Sequence, residues 1–448
     1  MKRWTTLFLM MMLFTVLTAC GSTTTTTTED DFVPVINLPT NTSANLRILI
    51  PGGNANETTM IEEAIAGFNL IYPNIQISMS YLAVNSYENT IRNQALAGSL
   101  PDIVWTNSPD FYYLVSKDLA YPLNEYVELS EAAGIFDVED DFYVEFFNIG
   151  SVNGNLYAIP RSADSVVTFY NEKILTDAGV DLNLIQDGWT WETFRGVCDQ
   201  VRTYFDNNGH SDRYVLDANL TSWLSVNYPI MRSFGADVTD GTGALTIDSP
   251  QTREAITMVR DLVEDRIIVG TGVTSGSSFE AGTSAFLFQS ASVSLFAHRR
   301  ELEGNINIVS FPLIGENPKI GSGIAGYSIN SNSAYKNEAW AFLNYMLSYD
   351  GQQAMGSGGL NLPSIRKDLA DYTTANWGQG YTDLHLNSYL YGLEYKITVD
   401  FLQYFDAKYK SDLDLALKDL FNNACNTGKT IEECIQIVVR DMGDALAD

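Results

Sequence analysis

The sequence predicts an α/β fold with more than one block of alternating strands and helices. Residues 46–105 follow the order strand, helix, strand, helix, strand, and a similar alternation restarts after residue 154. The chain has 448 residues, enough for two large domains or three of average size. We therefore expect a parallel sheet covered by helices, with a ligand crevice at the carboxyl ends of its strands.

The first block of alternating strands and helices spans residues 46–105. Its predicted elements are the strands 46–50, 75–82 and 101–105 and the helices 59–70 and 87–97. The first strand stops at Pro51-Gly52-Gly53, and the third opens into Thr106-Asn107-Ser108-Pro109. Both turns follow the carboxyl end of a strand, so we place both at the predicted crevice.

Longer helices dominate the second block. A strand at 166–170 precedes the predicted helices 191–205, 221–234 and 249–264, the last with Ser249 as N-cap and Pro250 in its first turn. Strands return at 306–314 and 327–329, a periodic helix follows at 335–348, and the rest of the chain reads as mainly helical.

The negative net charge of the chain excludes one large class of function, nucleic-acid binding. The chain carries 55 acidic and 26 basic side chains, a formal net charge of −29, which a nucleic-acid backbone or an anionic bilayer surface would repel. With three histidines and four cysteines, few soft ligands remain for a transition metal. We therefore predict no nucleic-acid partner, no metal and no cofactor.

The N-terminus predicts export and a lipid anchor. Lys2 and Arg3 precede the apolar run 7–17, which is too short to cross a bilayer and fits a signal peptide over residues 1–19. The run ends in Leu17-Thr18-Ala19-Cys20-Gly21, which resembles a bacterial lipobox, so Cys20 is the predicted lipid attachment site. The alternative is an ordinary secreted protein with an incidental cysteine. Residues 20–45, with six consecutive threonines, predict a flexible tether.

Several segments together resemble the extracellular solute-binding proteins of bacterial ABC importers, in the sugar-binding branch that includes the maltodextrin-binding proteins. Besides the lipobox, the segments that carry the resemblance are Phe68-Asn69 with Tyr72-Pro73-Asn74-Ile75, the runs 97–104, 152–160 and 169–175, Gly188-Trp189-Thr190-Trp191-Glu192-Thr193-Phe194, the helix 339–343 with Gly351-Gln352-Gln353, and Asn361-Leu362-Pro363-Ser364. Each segment is weak alone, but their order and spacing match from residue 46 to about residue 366.

The resemblance implies a two-lobed fold with a hinge and a ligand cleft between the lobes. Lobe 1 would combine 46–155 with 306–350, and lobe 2 would combine 156–305 with the C-terminal helices 351–448. Ligand would stabilise the closed form, because only that form contacts it from both lobes. The implied protein is a monomer with no catalytic activity, held on the extracytoplasmic face of the cell membrane, that passes a carbohydrate to an ABC permease.

Sugar sites combine aromatic platforms with amides and carboxylates that pair with hydroxyl groups. Trp105 is the first predicted platform, since the corresponding loop of the family supplies one; the alternative is a core tryptophan. Asn107 in the same loop and Asn54 in the first loop are candidate hydrogen-bonding residues. The resemblance also implies sugar contacts by Asp164, flanked by Arg161, against the alternative of a surface ion pair. Further candidates are Trp223, Tyr228 and, from a small-residue turn, Tyr327.

Two sequence features differ from a known pattern, the first from the family and the second from a dinucleotide-binding site. Where the family has Gly and then Trp, this chain has Gln289-Ser290-Ala291-Ser292, which puts the stacking ring there in doubt. Residues 321–326 satisfy GxGxxG, but a strand follows instead of the helix that a dinucleotide site needs, so we predict no NAD site.

The C-terminal cysteines offer a candidate disulfide between Cys425 and Cys434, with Cys198 left as a buried thiol.

Two other functions stay open at this point. One is a receptor for a non-sugar solute such as a polyamine or a peptide, which an acidic cleft would suit. The other is a surface enzyme that degrades carbohydrates, since paired carboxylates are easy to find in an acidic chain.

Overall fold

The computed structural model describes residues 32–52, 55–217, 224–268, 277–290, 299–359, 362–371, 376–378, 380–405, 409–425 and 428–447. Three predicted functional residues, Cys20, Asn54 and Trp223, lie outside these ranges. The chain divides into two compact units, residues 1–34 and residues 35–448. All the elements described below belong to the second unit.

Strands and helices alternate through most of this unit. The strands are β1 Ala44–Gly52, β2 Ile75–Ala83, β3 Ile103–Thr106, β4 Ser151–Val152, β5 Asn155–Leu156, β6 Ile159–Pro160, β7 Val167–Asn171, β8 Phe286–Gln289, β9 Ile306–Ser310, β10 Ile320–Gly321, β11 Gly326–Ile329 and β12 Lys396–Ile397. The α-helices are α1 Ala55–Ile71, α2 Val84–Leu96, α3 Ser108–Ser116, α4 Asn124–Ala132, α5 Val138–Asp141, α6 Val144–Asn148, α7 Glu172–Asp177, α8 Trp191–Asn207, α9 Leu224–Ser233, α10 Pro250–Glu264, α11 Ser277–Glu280, α12 Lys336–Leu347, α13 Tyr349–Ser357, α14 Lys410–Ala424 and α15 Ile431–Ala447. Short 3-10 helices occupy 182–184, 367–369, 376–378, 386–390, 393–395 and 400–404.

Local sequence chemistry explains several of these boundaries. Ser249 caps α10 by accepting a hydrogen bond from the Thr252 amide, and Pro250 occupies the first turn, as predicted. Thr190 caps α8 in the same way through the Thr193 amide. Caps of this kind satisfy amides that have no partner inside the helix, so they fix where each helix begins.

The first sheet has five strands in the order β2-β1-β3-β11-β6. β1 runs parallel to β2 and β3, as the alternation predicts, whereas β11 is antiparallel to both β3 and β6. The second sheet has the order β8-β7-β9 and is antiparallel throughout. The two separate sheets give the two-lobed α/β architecture. Side chains of the first sheet pack in the first hydrophobic core, whereas the second sheet contributes one face to each core, for example Phe169 to the first and Tyr170 to the second.

The pairing corrects the expected division of the chain at three places. β9 falls within 306–350, the range expected in the first lobe, but it pairs with β7 in the second sheet. β6 falls within the range expected in the second lobe, but it pairs with β11 in the first sheet. Met355 of α13 and Leu362 fall within the range expected in the second lobe, but they pack in the first core, and α13 packs on α1. The alternation of apolar residues predicts a strand or helix correctly but carries no information about its partner.

The last two helices carry a further correction. Cys425 and Cys434 are free thiols in the structure, as is Cys198, so the predicted disulfide is not formed. Both C-terminal thiols pack in the second core, and the Arg260 guanidinium lies 3.8 Å from the Cys434 sulfur. Burial raises the pKa of Cys425 to about 12, which leaves the thiol protonated and unreactive at neutral pH.

Candidate functional site

Two chain segments leave the first sheet at the same edge and run side by side toward the second. Tyr327 of β11 lies between Trp105 of β3 and Ile159 of β6 in the sheet register. The two segments, 161–166 and 320–325, are then joined by backbone hydrogen bonds from Arg161 to Ala325 (3.1 Å) and from Val166 to Gly321 (2.8 Å). These segments are the first and second crossings between the two sheets.

A C-terminal strand joins the second crossing. The segment 386–390 packs on β9 of the second sheet, and the His385 amide donates to Asn307 Oδ1 of that strand at 2.9 Å. β12 follows this segment and pairs in parallel with β10, and the Ser322 amide donates to the Ile397 carbonyl at 2.8 Å. Polar side chains of β12 and of the first crossing therefore meet next to β10.

The glycines of the GxGxxG motif are explained by the second crossing. A Cβ atom on Gly321 would collide with the Ser225 backbone carbonyl, and a Cβ on Gly323 would lie 2.7 Å from Asp164 Oδ2. β11 follows the motif, as predicted, in place of the helix of a dinucleotide site. The glycines of the motif therefore allow the second crossing to lie close to Ser225 and Asp164.

Arg161, the first residue of the first crossing, pairs with a carboxylate that sequence reasoning did not find. Its Nη1 atom donates to Oε2 of Glu57, which lies in the first turn of α1, where a helix N-terminus favours negative charge. The Tyr327 hydroxyl donates to the other Glu57 oxygen at 3.4 Å. Only 13% of the Arg161 side chain and 5% of the Glu57 side chain are exposed, so the ion pair is enclosed by protein.

Burial and charge set the protonation states of this group. Burial acts to lower the pKa of Arg161, but the Glu57 charge and hydrogen bond outweigh it, and the pKa is raised. Burial raises the pKa of Tyr327 well above its usual value, and the Glu57 carboxylate adds to the increase. At neutral pH Arg161 is therefore charged and Tyr327 is a neutral hydrogen-bond donor.

Asp164 lies three residues further along the first crossing. Burial raises its pKa, whereas the Arg161 charge, a hydrogen bond from Ser290 and the Lys396 charge act to lower it. The contact with Ser290 comes from the segment that follows β8, where the chain departs from the family pattern. Asp164 therefore lies where side chains of the first crossing, the segment after β8 and β12 come together.

Four buried polar atoms around this group have no hydrogen-bond partner among the residues that the structure describes. They are Trp105 Nε1, Arg161 Nε, Ser162 Oγ and Asp164 Oδ1. A buried polar atom without a partner costs about 1–3 kcal/mol, so native proteins keep few of them. Two donors, one acceptor and one hydroxyl that serves as either are available here to the hydroxyl groups of a bound molecule.

The Trp105 ring is enclosed in this structure. It meets Tyr87 edge to face, with the ring centroids 5.2 Å apart, and the Tyr87 hydroxyl donates to the Trp105 carbonyl at 2.8 Å. Only 8% of Trp105 is exposed. The indole nitrogen is thus placed to donate a hydrogen bond, while the use of the ring face as a platform stays a prediction.

The structure places Tyr228 in a different environment. It is fully buried in the second core, its hydroxyl contacts Asp400 at 2.8 Å and Asp237 at 3.1 Å, and Arg232 donates to the same oxygen. Burial and the neighbouring Asp400 charge raise its pKa. Asn107 precedes α3 and is half-buried, with its backbone carbonyl accepting from the Phe111 amide.

The structure thus joins Trp105, Arg161, Asp164 and Tyr327 in one neighbourhood and adds Glu57 and Lys396. A weak signal for Glu57 existed, since it lies in the first turn of a helix at the predicted crevice. Lys396 carried no local signal, because only the pairing of β12 with β10 brings it to the crossings.

The described residues contain no group of three or more histidine, cysteine, aspartate or glutamate side chains arranged to hold a metal ion. Within the same ranges, every helix is too short or too polar to span a membrane.

Comparison with known proteins identifies the family. The sequence pattern of the bacterial extracellular solute-binding proteins matches residues 63–382, which is most of the chain. The chain belongs to this family. An extracytoplasmic location follows from that membership.

One curated relative of this solute-binding protein is an arabinooligosaccharide-binding protein of Halalkalibacterium halodurans, 26% identical over 210 residues. That match covers 46% of this chain and 43% of the relative, so the chain spans less than half the length of the curated relative it matches.

Solved structures share the fold over nearly the whole solute-binding protein. The GacH receptor of Streptomyces glaucescens, solved unliganded and with acarbose, has a TM-score of 0.70 at 16% identity, with 91% of this chain and all of that chain covered. An ABC substrate-binding protein of Listeria monocytogenes in complex with cycloalternan has a TM-score of 0.71 at 16% identity, with the same coverage. The sugar-binding protein MalE of Xanthomonas citri has a TM-score of 0.71 at 18% identity, covering 90% and 98%.

Proposed function

We propose that this solute-binding protein captures a neutral carbohydrate between its two lobes and delivers it to the permease of an ABC importer. The observation that carries the proposal is the group of four buried polar atoms without partners next to the Glu57–Arg161 ion pair, all within the described part of the chain. A sugar hydroxyl both donates and accepts, so one hydroxyl can accept from Arg161 Nε while it donates to Asp164 Oδ1.

Charge favours a neutral ligand over a polyamine. Although the whole chain is acidic, the carboxylates of Glu57 and Asp164 are accompanied at the site by the cations of Arg161 and Lys396. A polyamine would need uncompensated carboxylates, and each ammonium group that approached Arg161 would be repelled. The named ligands of the relatives and structural neighbours, arabinooligosaccharides, acarbose and cycloalternan, support the carbohydrate class.

The lipid anchor at Cys20 and the partnership with a permease remain parts of the same proposal. The tether is shorter than the expected 20–45, because the Val35 amide donates to Asn337 Oδ1 and Ile36 and Leu38 pack on the first core. A receptor with a lipid at residue 20 and a tether to about residue 34 stays near the membrane that holds its permease. Metabolic labelling with a radioactive fatty acid tests the anchor. We expect label on the wild type and none on a Cys20→Ser variant, which should be released into the medium or periplasm.

Thermal unfolding with a ligand panel tests the binding function. The panel is arabinooligosaccharides, maltotetraose, cycloalternan, spermidine and a mixed peptide pool. A ligand present at 100 times its Kd stabilises the native state by about 2.7 kcal/mol, which is an easily measured shift. A shift with a sugar supports the proposal, whereas a shift only with spermidine or peptide contradicts the carbohydrate assignment.

Two variants locate the binding. Asp164→Asn removes an acceptor at the site and should abolish or strongly reduce the sugar shift. Asp177→Asn, on exposed α7, is the matched control and should leave it unchanged. Chromatography of the sugar after incubation separates a receptor, which returns it unchanged, from an enzyme, which would release shorter products.

A further inference from the structure

Lys396 reaches the candidate site from outside the region that defines the family match. The match ends at residue 382, and Lys396 lies beyond it in β12. The parallel pairing of Ile320 with Lys396 and of Gly321 with Ile397 attaches β12 to the second crossing. The position of this lysine is therefore fixed by backbone pairing and does not depend on side-chain packing alone.

The Lys396 side chain contacts the first crossing directly. Its Nζ atom donates to the hydroxyl of Ser165, the residue after Asp164. Ser322 of the second crossing in turn donates from its hydroxyl to the Asp164 carbonyl. The chain on the C-terminal side of Asp164 is therefore held by β12 and by the second crossing.

Three carboxylates act on the Lys396 ammonium group from different parts of the chain. Asp187 precedes α8 and accepts from the Ser310 amide of β9 at 2.8 Å, Asp164 belongs to the first crossing, and Glu394 precedes β12. Burial lowers the pKa of Lys396 to about 7, although these three carboxylates act to raise it. The charge of Lys396 therefore changes near neutral pH, while Arg161 stays charged.

Lys396 is half-buried, and a lysine whose ammonium group has lost hydration is costly to keep unless its position serves a purpose. An apolar residue at position 396 would maintain the backbone pairing of β12 without that cost. The two things that lysine adds are the hydrogen bond to Ser165 and a positive charge beside Asp164.

We propose that Lys396 is a positioning residue of the ligand site, which holds the Asp164–Ser165 segment so that Asp164 Oδ1 faces the bound sugar and which favours the ionised form of that carboxyl group. This inference rests on the proposed function, since it assigns a role in sugar binding. It adds to the site a residue contributed by β12.

The test measures sugar affinity by isothermal titration calorimetry on the mature chain. The probes are maltotetraose, cycloalternan and arabinooligosaccharides, each titrated into the wild type, Lys396→Met, Lys396→Arg and the control Lys173→Met. Lys173 is exposed and pairs with Asp177 on α7, so its loss should not change affinity. At pH 7 we expect Lys396→Met to weaken binding by about tenfold or more, and Lys396→Arg to weaken it only a few-fold.

A pH series separates positioning from mere structural support. Wild-type affinity should fall as pH rises from about 6 to about 8.5, because Lys396 loses its charge in this range, whereas Lys396→Arg should show a flat profile. A double-mutant cycle with Asp164→Asn should be non-additive, because both changes affect one carboxylate. Loss of affinity in both lysine variants together with additivity in the cycle indicates a purely structural role and overturns the proposal.

The remaining outcomes of the titrations also test the role of Lys396. Unchanged affinity in Lys396→Met overturns the proposal while the binding function stands. If the wild type binds none of the three sugars, the proposed function fails and this inference fails with it. If Lys396→Met does not fold, Lys396→Arg and Ser165→Ala carry the comparison, and unchanged affinity and an unchanged pH profile in both contradict the proposal.

Discussion

Two networks in this chain use the same residue types, a tyrosine hydroxyl between an arginine and carboxylates. One, at the crossings, consists of Glu57, Arg161 and Tyr327. The other, in the second core, joins Tyr228 and Arg232 to Asp237 and Asp400 at distances of 2.8–3.6 Å. The first is enclosed by protein, whereas the side chains of Asp237 and Asp400 in the second are 32% and 40% exposed.

The networks differ in how completely their polar atoms are paired. Within the described part of the chain, none of the four residues of the second-core network contributes a buried side-chain polar atom without a partner. At the crossings, Arg161 and the adjoining Ser162 and Asp164 each contribute one. A network that satisfies its own atoms stabilises one conformation, whereas a network that leaves atoms unpaired is suited to receive a ligand. Residue type alone does not distinguish the two roles.

The largest effect should come from breaking the crossing network. Arg161→Met leaves the Glu57 carboxylate buried without its cation, which costs about 3–5 kcal/mol when one partner of a buried pair is removed. Unfolding in urea measures this loss. The double variant Arg161→Met with Glu57→Gln should recover much of it, and a double variant as unstable as the single one would contradict this account.

The second prediction concerns pH and the lysine beside the crossing network. The pKa of Lys396 is about 7 in the folded chain and near its usual 10.5 when unfolded. Between these values the unfolded chain binds more protons, so stability rises with pH. Between about pH 7 and 9, the free energy of unfolding of the wild type should increase by up to about 2 kcal/mol relative to that of Lys396→Met. Each pH unit over which the unfolded chain binds one more proton than the folded chain contributes about 1.4 kcal/mol. Parallel pH profiles for the two proteins would show that Lys396 is not buried as described.

The third prediction sharpens the contrast between the two tyrosines. Tyr228→Phe removes a hydroxyl that bonds at 2.8 Å to both Asp400 and Arg232, and should destabilise the fold by about 1–2 kcal/mol without changing sugar affinity. Tyr327→Phe removes a longer bond of 3.4 Å and should cost less stability but reduce affinity. Urea unfolding and calorimetry measure the two quantities, and an affinity loss in Tyr228→Phe would assign the second network to the ligand.

The smallest effect is expected from Gly323→Ala. Its new methyl group would lie 2.7 Å from Asp164 Oδ2, and because the end of a side chain can move aside, we expect a cost near the low end for overpacking, about 1 kcal/mol. Displacing the carboxylate should reduce sugar affinity by a few-fold while the melting temperature stays nearly unchanged. Gly134→Ala is a useful reference, since that glycine has a positive φ of 69° and open space around it, so only strain acts there.

Sequence reasoning recovers most elements of the fold because apolar periodicity and caps are local. The strand at 46–50 and the helix after Ser249 are examples. It places β9 in the wrong sheet, because the same apolar run would suit either one. The partner of a strand depends on the path of the chain, which periodicity does not describe.

The spatial grouping of the candidate residues is likewise predictable from sequence only in part, and their role in binding stays a prediction. Arg161 and Asp164 lie in a segment that the family resemblance marks, and the structure places both at the first crossing. Tyr228 is a sequence candidate because an aromatic residue on a helix in this block resembles a ligand contact, but its hydroxyl already has three partners. Lys396 could not be found, since 230 residues separate it from Val166, which bonds to the strand that β12 joins.

The pairing of β12 with β10 has a mechanical consequence. β10 opens the second crossing, and β12 follows a segment that packs on the second sheet, so the pairing fixes this end of the crossing to the second lobe. Bending of the second crossing is therefore confined to the few residues between β10 and β11. A chain cut before β12 would lose this constraint, and a longer part of the second crossing would be free to bend.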